Sequence, residues 1–140
     1  MRLQLIFLIC LTLISCNKDK DEDCSTVICL NLDFMINLTD KNTGDNIILT
    51  EQFTENDVSI RDVDNEPVEV MILQNKTIII YPDNKNNGNY ILTFGDKSIE
   101  YSYEITEGAD GCCDFGNFTN VNVVGYEFNY NENLLEILVD

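Results

Sequence analysis

From Leu30 to Leu38 the even-numbered residues are apolar: Leu30, Leu32, Phe34, Ile36 and Leu38, with Asn31, Asp33, Met35 and Asn37 between them. Successive side chains of an extended chain point to opposite faces, so this run reads as a strand with one face in a core and one toward water. The same alternation returns in Ile99, Tyr101, Tyr103 and Ile105, separated by Glu100, Ser102 and Glu104. Shorter strands are expected at Ile47–Thr50, Val58–Arg61, Pro67–Leu73, Thr77–Tyr81 and Tyr90–Phe94, with two more near Val121–Tyr130 and Leu134–Val139. Turn residues separate the runs, notably Asp40 to Asp45 around Gly44, Asp83 to Gly88, Gln74 to Lys76, and Gly95-Asp96. No stretch after residue 23 has a helical period. The expectation is one all-β domain over residues 24–140, an antiparallel two-sheet sandwich of about eight or nine strands.

One run changes phase. Val121 and Val123 are apolar at odd positions, whereas Tyr126, Phe128 and Tyr130 are apolar at even ones. A one-residue bulge at Gly125 would keep both halves facing the core.

The chain begins differently. Arg2 precedes a mostly apolar run, Leu3 to Ile14, that is shorter than the ~20 residues needed to cross a bilayer. It ends in Leu13-Ile14-Ser15-Cys16, which resembles the lipobox of bacterial lipoproteins. The resemblance implies a leader over 1–15 and a diacylglyceryl group on the Cys16 thiol, with further acylation at its amine. It also implies attachment to a membrane through lipid. Residues 16–23 then form a solvated tether, Asn17-Lys18-Asp19-Lys20-Asp21-Glu22-Asp23. This charged cluster is similar to the surface-export signal of Bacteroidota lipoproteins, which implies an outer-membrane or cell-surface location, the periplasmic face being the alternative. Farther on, Leu38 to Gly44 resembles the first hairpin of immunoglobulin-like and transthyretin-like sandwiches.

Of six cysteines, Cys10 lies in the leader and Cys16 is the lipid acceptor, leaving Cys24, Cys29, Cys112 and Cys113. An exported domain permits disulfides. Adjacent Cys112 and Cys113 would make a strained ring, so bridges from Cys24 and Cys29 to the Cys112-Cys113 turn are expected. Closing a loop of about 85 residues would stabilise by roughly 4–5 kcal/mol in the chain-entropy model. Zinc is the rival, but adjacent cysteines and a Cys-x₄-Cys spacing fit it poorly.

The chemistry of the rest is sparse. The chain contains no histidine, the usual general base, and no glycine-rich phosphate loop. With 25 acidic against 8 basic residues and a net charge of −17, it repels phosphate backbones, so no nucleic-acid partner is expected. Asp40, Asn42 and Asp45 are weak calcium candidates, because their spacing is not that of a helix-flanked calcium loop. Asp62, Asp64 and Glu66 read as a solvated edge, not a catalytic carboxylate set. Tyr101 and Tyr103 read as core, not as platforms for a sugar. The function expected is therefore non-enzymatic: a lipid-anchored sandwich whose end loops bind a protein or glycan. The alternatives are a structural envelope component and, behind it, a carboxylate-based glycan hydrolase.

Overall fold

The computed structural model describes residues 33–81, 87–106 and 116–140. Among these residues, ten strands form two five-stranded sheets. In chain order they are β1 (Phe34–Asp40), β2 (Val58–Asp62), β3 (Pro67–Val68), β4 (Val70–Ile72), β5 (Ile78–Ile80), β6 (Asn87–Phe94), β7 (Lys97–Ile105), β8 (Phe118–Val123), β9 (Glu127–Asn131) and β10 (Leu134–Val139). The first sheet runs β4-β5-β1-β10-β9 and the second β3-β2-β6-β7-β8. All neighbours are antiparallel except β1 and β10, which pair in parallel from Met35 and Leu134 to Asp40 and Val139.

The alternating residues meet between the sheets. Phe34, Ile36 and Leu38 of β1, with Leu135, Ile137 and Val139 of β10, are all fully buried. They face Ile60, Leu92, Ile99, Tyr101 and Tyr103 of the second sheet in one core cluster. Burial of this apolar surface is the main stabilising force.

Three expected strands are built otherwise. Ile47–Thr50 is a single helical turn, α1, despite its β-branched residues. Asn46 caps it, its side-chain oxygen accepting from the Leu49 N–H at 3.1 Å, and Ile48 plugs the core below. Local capping and one buried side chain outweigh strand propensity here. The Leu38-to-Gly44 segment accordingly does not open a hairpin. Only an isolated bridge, Thr39 with Asn46, follows its turn.

Pro67–Leu73 is divided at Glu69. Pro67 and Val68 pair with β2 in one sheet, whereas Val70 to Ile72 pair with β5 in the other. The third case is the phase change near Gly125. The ladder does end there, but because the chain crosses from β8 in the second sheet to β9 in the first. Gly125 turns the corner at φ +80°. The two corners lie at opposite lateral sides, so each side of the sandwich is bridged by continuous chain.

The bulge lies five residues earlier. Ser102 pairs with Asn122 but Glu104 with Thr119, so Asn120 and Val121 together oppose Tyr103. Asn120 takes φ +51°, a left-handed conformation that Gly and Asn tolerate and β-branched residues do not. Its amide also donates to a Glu104 carboxylate oxygen at 2.5 Å. Asn120→Val is expected to destabilise by about 1–2 kcal/mol in urea titration, and Asn120→Gly by less; equal losses would mean that the backbone does not set the cost.

Candidate functional site

The lipid acceptor Cys16 and the disulfide candidates Cys24, Cys29, Cys112 and Cys113 lie outside the described residues. Phe34, five residues after Cys29, packs edge-on against Phe118, five residues after Cys113, with ring centroids 4.8 Å apart. Among the described residues no helix is long and apolar enough to cross a membrane.

The calcium candidates share one turn at the opposite end from Phe34. One Asp40 carboxylate oxygen accepts the Asn42 and Thr43 N–H groups at 2.8 and 2.9 Å, and the Asp45 N–H donates to the Thr43 hydroxyl. The Thr43 and Asn42 amides hold the Asp40 carboxyl below the usual carboxylate range. The carboxylate thus shapes its own turn. Among the described residues no three His, Cys, Asp or Glu side chains group closely enough to hold a metal ion. Asp62 acts similarly, accepting the Asp64 and Glu66 N–H groups at the turn after β2, while Asp64 and Glu66 are exposed.

The tyrosines are largely spent inside. Tyr101 and Tyr103 are 2% and 1% exposed, as expected from their alternation, and Tyr90 stacks on both. Gly88 makes room for this stack, since a Cβ there would overlap the Tyr90 ring. The Tyr103 hydroxyl donates to that of Tyr90 at 2.9 Å, whereas the Tyr101 hydroxyl is buried without a partner. Burial pushes both phenols above the ordinary value of 10.0. Folding therefore favours the neutral forms. Their contribution is complete below pH 10 and is lost as pH rises above it, by about 1.4 kcal/mol per pH unit for each tyrosine. Alkaline unfolding with a steep rise in tyrosinate absorbance is expected. Smooth titration of Tyr101 and Tyr103 near pH 10 in the folded protein would contradict the packing. Tyr103→Phe should cost about 1 kcal/mol, while Tyr101→Phe should cost nothing or stabilise.

What remains for recognition is surface. On the outer face of the second sheet Val63, Ile91 and Val124 are 70%, 41% and 56% exposed, and all three border one hollow of about 370 Å³. The sheet's alternation puts Ile91 there, because Tyr90 and Leu92 point into the core. Val63 and Val124 lie just past the ends of β2 and β8, where the chain leaves the sheet and no core awaits them. Asn89, Ser102 and Asn122 supply amides and a hydroxyl, and Glu100 the single carboxylate of the hollow. An apolar centre with a polar surround suits a protein surface better than it suits chemistry. Sequence reading missed this patch, since one valine beyond each strand leaves no periodic signal.

A second hollow, of about 290 Å³, lies beside α1, between Phe53, Phe94 and Lys97. The Lys97 ammonium there donates to the Asp140 backbone carbonyl.

The architecture defines a two-sheet β-sandwich with an exposed apolar patch on one outer face. No protein-family model, curated protein or solved structure matches the chain.

Proposed function

We propose that the chain is a lipid-anchored, non-enzymatic envelope protein that presents the outer face of its second sheet to a protein. The carrying observation is the clustering of Val63, Ile91 and Val124 around one hollow. Single exposed apolar residues are ordinary, but three around one concavity mark a docking surface. The lipobox-like Leu13-Ile14-Ser15-Cys16 supports the anchor, and the absence of histidine supports a non-enzymatic role.

A protein is favoured over a glycan because no tyrosine offers a fully exposed ring for a sugar to stack on. Tyr90, Tyr101 and Tyr103 are buried, and Tyr81, Tyr126 and Tyr130 are half-buried. Tyr130 moreover stacks against Phe34. The docking surface proposed is thus a sheet face, where sequence reading expected end loops.

Site-specific photocrosslinking on membranes tests this. A photoreactive residue at Val124 should give a protein adduct, while the same residue at Leu49, 58% exposed beside α1, should not. Failure at Val124, or equal labelling at both, would reject the face.

A further inference from the structure

Resting on that docking reading, we infer that the face pairs with a second copy of this chain, about a two-fold axis parallel to the strands. The argument is the order of side chains across one row of the sheet. Pro67 pairs with Arg61, Arg61 with Ile91, and Ile91 with Glu100, and the Val124 N–H donates to the Glu100 carbonyl. The row therefore reads apolar, positive, apolar, negative, apolar, and all five residues are exposed.

Neighbouring strands are about 4.8 Å apart, so Arg61 and Glu100 lie at equal distances on either side of Ile91. A two-fold axis along β6 through Ile91 sets Ile91 against its own copy. It also sets each Arg61 over the other copy's Glu100 and each Val124 over the other copy's Pro67. The alternative axis in the plane of the face, across the strands, sets Arg61 on Arg61 and Glu100 on Glu100. Charge thus selects the first arrangement.

Both charges are available. The Glu100 carboxylate has no hydrogen-bond or ion-pair partner among the described residues. Arg61 uses Nη1 on the Asn65 carbonyl at 2.8 Å, and its guanidinium makes no other hydrogen bond among the described residues.

The chosen axis has a second consequence. Rotation about the strand direction keeps both Phe34 ends on the same side, so two copies anchored in one membrane can pair without either turning over. The rejected axis points the two anchored ends in opposite directions. The face is also where a chain of net charge −17 can approach itself, because one carboxylate borders the hollow.

The test uses the full-length lipoprotein in cells, with two differently tagged copies and a photoreactive residue at Ile91. An adduct joining the two tags is expected. Glu100→Arg should lower its yield roughly tenfold, and adding Arg61→Glu should restore it, because the swap re-forms the pairs in reverse. Unchanged melting temperatures would show that both variants fold. A yield indifferent to Glu100→Arg, or not restored by the swap, overturns the pairing. An adduct with a different protein alone overturns it too, yet leaves the docking face standing. No adduct at all removes both.

Discussion

Phe34→Ala is expected to cost about 3–5 kcal/mol, enough to leave a domain of ordinary stability marginal. Phe34 is fully buried at the start of β1. Its ring lies 4.8 Å from those of Tyr103 and Phe118, 6.0 Å from Tyr130 and 6.1 Å from Tyr101. These neighbours come from β7, β8 and β9, so one ring ties both sheets together. Alanine would leave a void that its aromatic neighbours cannot collapse into, because Tyr101 and Tyr103 are each already stacked on Tyr90. The midpoint of urea unfolding should fall sharply while its slope stays the same. Leu49→Ala is the control, since Leu49 is 58% exposed and should change stability by less than about 0.5 kcal/mol. Comparable losses at the two positions would mean that the cluster is not the keystone of the core.

Alternation fixes which face a residue occupies, and at Leu38, Tyr101 and Ile137 the buried face is legible in the sequence alone. It does not fix which strand lies alongside. Nothing in Leu134–Val139 announces that it will pair in parallel with Phe34–Asp40, because that choice depends on contacts between the two ends of the domain. Nor does alternation distinguish a strand from a strand that changes sheets. Glu69 and Gly125 interrupt runs that look continuous, or merely out of phase, in one dimension. The helical turn at Ile47–Thr50 escaped because its cap is one asparagine and its buried residue one isoleucine. The proposed docking face was hidden more deeply. Its five-residue row is drawn from β3, β2, β6, β7 and the residue after β8, so it exists only once the registers are known.

Cys16→Ser should abolish acyl labelling of the chain and release it from firm membrane attachment. A thiolate is the strong nucleophile that a serine hydroxyl does not replace, so no acyl chain should form at residue 16. Each buried CH₂ contributes about 0.8 kcal/mol, and one acyl chain alone gives only reversible binding, whereas two or three hold firmly. No compensating attachment is expected from the rest of the chain. Leu3 to Ile14 as a helix would reach only about 18 Å, against a hydrocarbon core of about 30 Å. Residues 16–140 hold 7 basic against 25 acidic side chains, and such a surface is repelled by anionic headgroups. Metabolic labelling with a radioactive fatty acid, followed by detergent phase partition, separates the outcomes. Label persisting in Cys16→Ser, or an unmodified Cys16 thiol in the native protein, would sink the anchor. The paired arrangement would then lose its strongest geometric support, since only a common membrane requires both Phe34 ends to point the same way. Charge order alone would still favour that axis, so pairing through Ile91 that survives release from the membrane would mark Arg61 and Glu100 as its selectors.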